Sequence, residues 1–367
     1  MKIIISGGGT GGHIYPALTI ADNIKKIAPD AEIIFVGTKE GLEKDIIPRY
    51  GYKLRYIEVA GFKRSLSFDT VRSFCKLFSG LKDAYKIIND EIPDLVIGTG
   101  GYVCGPVVFM AAMKKIPTCI QEQNAMPGMT NKILAHWVNK VFLGYSQGGD
   151  HFGGSSEKVY TGNPIREEIL AYDRDTAMKE LALDDAKKTI LVSGGSRGAR
   201  SINEVMLEVE RALSGRDDVQ VVHATGAANY DEYMSRVNEV GGFANNIIVM
   251  PYLHNMPAAL AVADIAVFRA GAVGLAELTA KGIPSILVPY PYATANHQEF
   301  NARAVEIDGA AKVVLDRELS AEKILEIVEH LLLHEEQLLK MHEAALQLGR
   351  PAAASMIAEQ ALALINK

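Results

Sequence analysis

Four glycine-rich turns carry the strongest chemical signal in this chain. Gly7-Gly8-Gly9-Thr10-Gly11-Gly12-His13 follows the apolar run Ile3–Ile5, and Gly98-Thr99-Gly100-Gly101-Tyr102 follows Leu95–Ile97. Gly194-Gly195-Ser196-Arg197-Gly198 follows Ile190–Val192, while Arg269-Ala270-Gly271-Ala272 follows Ile265–Phe268 and opens a segment carrying Glu277. Glycine admits positive φ and lets backbone approach a ligand closely. Where such a turn leads into a helix, the first N–H groups have no partner within it and form an anion site. A single turn of this kind is commonplace. Four of them at strand ends point to a cleft that handles diphosphate.

The type of diphosphate narrows by elimination. Gly7, Gly9 and Gly12 satisfy GxGxxG, but a dinucleotide site also wants an acidic residue closing the second strand. Here Ile33–Val36 runs into Gly37-Thr38-Lys39, so a nicotinamide cofactor is disfavoured. No turn contains Gly-Lys-Ser or Gly-Lys-Thr, which excludes a P-loop. Asp173-Arg174-Asp175 has the form of a metal-binding DxD, yet it stands just before a helical stretch, where Asp caps the first turn. No metal ligand set is expected and no bound cofactor, although a divalent ion could assist from solution. Cys75, Cys104 and Cys119 have neither the number nor the spacing of a zinc site or a disulfide framework.

The elements that must hold these turns alternate. Lys2–Ser6, Glu32–Gly37, Leu95–Thr99, Thr118–Gln121 and Lys140–Leu143 read as buried strands, separated by helical segments such as Tyr15–Ile27. The rhythm restarts with strands at Thr189–Ser193, Val219–Ala224, Ile247–Met250, Ile265–Phe268 and Ser285–Val288. Alternation of this kind predicts an α/β fold of parallel sheets covered by helices on both faces. The 367 residues exceed one ordinary core, and Ile3–Gly8 is echoed by Ile190–Gly195. Two Rossmann-like, doubly wound domains facing a cleft are therefore expected. The first covers residues 1–163 and the second 164–350, with Asn163-Pro164 at the boundary. An Ala-rich helix over residues 351–367 is expected to pack back on the first domain. Net charge is −6, distributed as +4 over residues 1–163 and −10 over the remainder. The front half is thus the one suited to an anionic surface, and no nucleic-acid partner is expected.

Seven pieces in order carry a resemblance along the whole chain: Gly8–Ala17, Gly100–Pro106, Glu122–Asn124, Gly162–Arg166, Gly194–Ala199, Arg269–Glu277 and Asn296–Ala302. Together they resemble the MurG family of glycosyltransferases. The resemblance implies the GT-B fold and inverting transfer of N-acetylglucosamine from its UDP conjugate. The acceptor would be the 4-hydroxyl of a muramyl-pentapeptide sugar linked by diphosphate to undecaprenol (lipid I to lipid II of peptidoglycan). It assigns the donor to Arg166, Gly195, Ser196, Tyr252, Leu253, Gly271, Ala272, Val273, Glu277, Gln298 and Asn301, with Thr10, Gly11, Gly12 and Asn124 reaching it from the first domain. Glu277 would accept both ribose hydroxyls. Gly9, Thr10, His13, Gly100, Gly101, Tyr102 and Asn124 would hold the acceptor. His13, at a helix N-terminus that favours neutral imidazole, would be the general base, with Glu122 its rival. Gln121 stands where the family commonly has His, Arg197 where it has Gln, Gly274 where it has Thr, and Phe268 where it has Ser or Cys.

A lipid-linked acceptor demands a place at the membrane. Residues 62–76 interleave Phe62, Leu66 and Phe68 with Lys63, Arg64 and Arg72, the pattern of a peripheral patch on anionic lipid. No stretch approaches the roughly 20 apolar residues of a membrane span, and none reads as a signal peptide. The expected location is the cytoplasmic face of the cell membrane, held peripherally. Two other functions suit the same fold: a UDP-N-acetylglucosamine 2-epimerase, and a non-catalytic scaffold that binds UDP-sugar.

Overall fold

The computed structural model of the chain describes residues 1–59, 68–195 and 197–365; in the helix Phe68–Glu91 side chains are described from residue 76 onward. The backbone divides into two compact units, Met1–Ile165 with Ala352–Lys367, and Arg166–Pro351.

Among its described residues the first unit contains seven strands: β1 (Lys2–Gly7), β2 (Glu32–Gly37), β3 (Lys53–Tyr56), β4 (Leu95–Gly100), β5 (Thr118–Glu122), β6 (Lys140–Leu143) and β7 (Glu157–Tyr160). They form one parallel sheet in the order β3-β2-β1-β4-β5-β6-β7. The sheet is buried on both faces, and the consecutive apolar residues Ile3, Ile4 and Ile5 of β1 serve both of them. Ile4 joins Ile34, Val96 and Val107 on one face, while Ile3 and Ile5 join Ile14, Leu18 and Phe35 on the other. The helix Ala353–Leu362 closes that second face, setting Ile357, Ala358 and Ala361 among the residues of the helix Gly11–Ile27. Each fully buried Ile contributes roughly 1.5–3 kcal/mol.

The second unit repeats the plan with β8 (Lys188–Ser193), β9 (Val219–Ala224), β10 (Ile247–Met250), β11 (Ile265–Phe268), β12 (Ser285–Leu287) and β13 (Ala311–Val313). Their order is β10-β9-β8-β11-β12-β13, again parallel. All ten strands read from the sequence are present. The three additional ones, β3, β7 and β13, are the edge strands of the two sheets, apart from β10. Lys53-Leu54-Arg55-Tyr56 and Glu157-Lys158-Val159-Tyr160 are half polar, as an edge strand exposed on one side requires, so they lack the apolar run that marked the others.

Each sheet has one point where strand order reverses, between β1 and β4 in the first unit and between β8 and β11 in the second. In open parallel sheets ligands bind beyond the carboxyl ends of strands at such a point. The four glycine turns follow β1, β4, β8 and β11. The topology therefore brings them together in two pairs.

Candidate active site

In the first unit, β1 ends at Gly7 and the helix Gly11–Ile27 begins four residues later, placing His13 in its first turn. The paired turn after β4 leads from Gly100, at φ 99°, into the helix Gly101–Met113. The two turns touch: a methyl on Gly9 would come 3.2 Å from the Tyr102 ring, and one on Gly100 would come 2.8 Å from His13 Nδ1. His13 Nδ1 lies 3.0 Å from the Thr99 carbonyl oxygen and 3.1 Å from Gln123 Oε1.

A buried chain of amides fixes which end of Gln123 faces the imidazole. The Gln123 carbonyl can only accept, so Asn163 must present Nδ2 to it, at 2.9 Å. Asn163 Oδ1 then accepts from Gln121 Nε2 at 2.9 Å. Gln121 Oε1 in turn accepts from Gln123 Nε2, which also donates to the Thr99 carbonyl at 2.7 Å. Gln123 is left with its oxygen toward His13. Both neighbours of Nδ1 are acceptors, so Nδ1 carries the proton and Nε2 carries the lone pair of neutral imidazole. Gln121, Gln123 and Asn163 are all buried.

Glu122 is used differently from the expectation. Its carboxylate accepts from the Asn124 amide (2.9 Å), Asn124 Nδ2 (3.1 Å), the Gly128 amide (3.0 Å) and Asn131 Nδ2 (2.9 Å). Four donors occupy the four lone-pair positions of a carboxylate that is 2% exposed. Glu122 thereby braces the segment 124–131. In the turn after β1 the Gly9 N–H donates to Glu43 Oε2 at 3.0 Å. Thr10 stands at the N-cap of the His13 helix without a side-chain cap bond, and Gly11 and Gly12 supply that helix's first amides. Asn124 follows β5 on the loop that Glu122 holds.

In the second unit, Gly195 has φ 87° and Gly271 caps the helix Ala272–Ala280. A methyl added at Gly195, Gly271 or Gly274 meets nothing within 4 Å, so open space lies against all three positions. The first amides of that helix, from Ala272 and Val273, form the positive end of its dipole. Ser196 lies outside the described residues. Glu277, one turn further, is 9% exposed, and Arg166 Nη2 lies 3.6 Å from its Oε1. Burial pushes the Glu277 carboxyl above its ordinary value, and Arg166 only partly offsets this. Leu253 is buried, whereas the Tyr252 ring is half-exposed and meets His254 edge to face at 5.0 Å.

The sugar-binding expectation splits. Gln298 Oε1 accepts from the Tyr290 amide at 2.9 Å, leaving its NH2 as the donor end. Asn301 is fully buried and donates to the Ala270 carbonyl at 3.3 Å. Through this bond it braces the turn after β11. Arg269, to which no role was given, spends its guanidinium on the Val288 and Pro289 carbonyls, Asp316 and Ser201. Asp173 caps the helix Arg174–Glu180 through the Thr176 amide at 2.9 Å, as its position suggested. Among the described residues no group of His, Cys, Asp and Glu could hold a metal ion.

The glycosyltransferase family 28 N-terminal domain matches residues 3–143, and the C-terminal domain of the same family matches residues 189–358. A UDP-N-acetylglucosamine–N-acetylmuramyl-(pentapeptide) pyrophosphoryl-undecaprenol N-acetylglucosamine transferase of Acetivibrio thermocellus is 48% identical over 95% of this chain and 94% of its own. The transferase of the same name from Bacillus cytotoxicus is 44% identical over the whole of both chains. Among solved structures, MurG of Acinetobacter baumannii superposes with a TM-score of 0.79 at 25% identity, covering 99% of each chain. A UDP-N-acetylglucosamine 2-epimerase from Neisseria meningitidis shares the fold at a TM-score of 0.69 and 14% identity, covering 99% of this chain and 100% of its own. Both matched domains and near full-length identity agree with the two sheets and their paired glycine turns, and the chain belongs to glycosyltransferase family 28.

Proposed function

We propose that this enzyme transfers N-acetylglucosamine from UDP-N-acetylglucosamine to an N-acetylmuramyl-(pentapeptide) pyrophosphoryl-undecaprenol acceptor, inverting the anomeric centre. In one displacement the muramyl 4-oxygen bonds to C1 of the donor sugar as the bond from C1 to the UDP oxygen breaks. His13 Nε2 takes the hydroxyl proton and UDP leaves with the bonding pair. The observation that carries this reading is the pair of acceptors on His13 Nδ1, which makes Nε2 the basic nitrogen at the β1/β4 switch point. Relatives of this length and identity that bear the same transferase name support the substrate pair.

The donor's ribose is assigned to Glu277, its base to the edge of Leu253 and the face of Tyr252, and its sugar to the NH2 of Gln298. Its diphosphate is assigned to the amides of Gly195, Ala272 and Val273 with Arg166. Fixed dipoles and a guanidinium neutralise a leaving diphosphate without a resident metal, and no metal step is part of the proposal. Gly100, Gly101, Tyr102 and the amides of Gly11 and Gly12 are assigned to the acceptor.

We further propose peripheral attachment to the cytoplasmic face of the membrane through the first unit. Most of residues 62–76 lie outside the described side chains. In the helix Phe68–Glu91 Phe78 is 70% exposed, and in the later segment 113–137 Met129 is 71% exposed and Met113, Ile133 and Trp137 are also exposed, with Lys114, Lys115 and Lys132 among them in sequence. An apolar set with basic neighbours suits an anionic lipid surface. No helix among the described residues is long and apolar enough to cross a membrane. Incubation of the purified chain with labelled UDP-N-acetylglucosamine and the polyprenyl acceptor tests the reaction. Label in the lipid fraction supports it, and label released only as free sugar or epimerised donor refutes it.

A further inference from the structure

The glycine turn after β1 is held from inside by a carboxylate that the reaction does not use. Glu43 is wholly buried. Its Oε2 accepts from the Gly9 amide at 3.0 Å, and its Oε1 accepts from the Thr38 amide and the Thr38 hydroxyl, each at 2.8 Å. The Thr38 hydroxyl in turn accepts from the Gly41 amide at 3.1 Å. Three segments therefore converge on one side chain: the β1 turn, the end of β2 and the turn that follows it.

Three glycines make room for this carboxylate. A methyl on Gly8 would come 2.7 Å from it, and methyls on Gly37 or Gly41 would overlap the Glu43 side chain outright. The turn that Glu43 holds is also the seat of the second helix, since a methyl on Gly101 would overlap the Gly8 carbonyl oxygen. Fixing Gly8 and Gly9 therefore sets the starts of both helices, Gly11–Ile27 and Gly101–Met113, against each other.

We propose that Glu43 is a positioning residue for the acceptor's diphosphate. It turns the Gly9 N–H inward and so leaves the amides of Gly11 and Gly12, at the head of the His13 helix, as the ones aimed at the ligand. A buried anion that already accepts from the turn also keeps the diphosphate off Gly9. The inference rests on the assignment of the acceptor to this unit.

Glu43→Gln is the sharpest test because it is isosteric. Its remaining carbonyl oxygen keeps the two Thr38 donors, which forces the new NH2 against the Gly9 N–H, donor to donor. Gly41→Ala acts independently: it displaces the carboxylate from the opposite side without touching the β1 turn. Hydrogen exchange of the full chain should show the Gly9 amide protected, with that protection lost in both variants. In transfer assays both variants should raise the KM for the muramyl-pentapeptide pyrophosphoryl polyprenol by about tenfold, the effect of one lost charge-assisted bond. UDP affinity, measured by calorimetry, should stay as in the unaltered chain. A Gly9 amide that exchanges freely in the unaltered chain overturns the inference, as does an unchanged acceptor KM in folded variants or an equal loss of UDP affinity. If the unaltered chain transfers nothing to the lipid, the transferase reading fails and this inference with it. Transfer by the unaltered chain with variants indistinguishable from it sinks the inference alone.

Discussion

Glu277→Gln separates two effects that the structure places on one carboxylate. The side chain is 12% exposed and its charge is opposed by a single guanidinium at 3.6 Å. Ionised, it carries a burial cost that Arg166 only partly relieves, which is why its pKa is raised. Two ribose hydroxyls donating to it would replace lost water with charge-assisted hydrogen bonds of roughly 1.5–3 kcal/mol each. The amide variant keeps one neutral acceptor and turns an NH2 toward the second hydroxyl or toward Arg166. The expected loss is about 3 kcal/mol, on the order of a hundredfold in the Kd for UDP. Stability of the empty protein should hold or rise slightly, because a neutral amide has no ionic burial cost and Arg166, about a third exposed, remains solvated. The sign with pH follows. Folded Glu277 binds its proton more tightly than in the unfolded chain, so its contribution to stability is present below the ordinary carboxylate value and lost as pH rises through the raised one. UDP binding runs the other way, weakening as pH falls into that window, and the variant should lack that slope. Titration calorimetry across pH 4 to 8, roughly the span over which a raised carboxyl titrates, is the assay. Equal UDP affinity in the two proteins, or an unchanged slope, refutes the ribose assignment.

Three other outcomes follow from the geometry. Gln123→Met removes one of the two acceptors on His13 Nδ1, so kcat should fall about tenfold while the KM for the UDP-sugar stays constant; a change confined to that KM contradicts the base-orienting role. Glu122→Gln presents an NH2 where the carboxylate meets four donors, and thermal unfolding should shift down by an amount equivalent to about 2–4 kcal/mol; an unshifted transition contradicts its assignment as a brace. Replacing Met129 and Trp137 with Ser should weaken sedimentation with vesicles containing anionic lipid, leaving UDP affinity intact. Undiminished vesicle binding would place the membrane contact elsewhere.

Much of this was legible in residue order. Ile3–Ile5 and Ile190–Val192 are apolar at every position, as a strand buried on both faces is, and the glycines after each marked the turns that stand at the two switch points. The edge strands β3, β7 and β13 escaped because one side of each is open to water, and Lys53 and Arg55 or Glu157 and Lys158 look like loop. The less visible part of the site is its underside. Glu43, Gln121, Gln123 and Asn163 are polar residues committed to buried hydrogen bonds, and partners 34 to 110 positions away cannot be read from local spacing. The structural bonds of Glu122 and Asn301 were hidden for the same reason. A carboxylate or amide at a strand end looks equally suited to a substrate or to its own loop until its donors are counted. One signal was available for Glu43: Gly37 and Gly41 flank the end of β2 in a turn that needs neither for φ, which points to a side chain packed against them.

The central claim is that His13 Nε2 removes the acceptor proton while the second unit holds the donor. Single-turnover transfer from labelled UDP-N-acetylglucosamine to the polyprenyl muramyl acceptor, comparing the unaltered chain with His13→Ala, tests it most directly. Loss of a general base should cost about 10²–10⁴-fold in rate, with UDP binding retained. Lipid labelled by the variant at the rate of the unaltered chain would contradict the account.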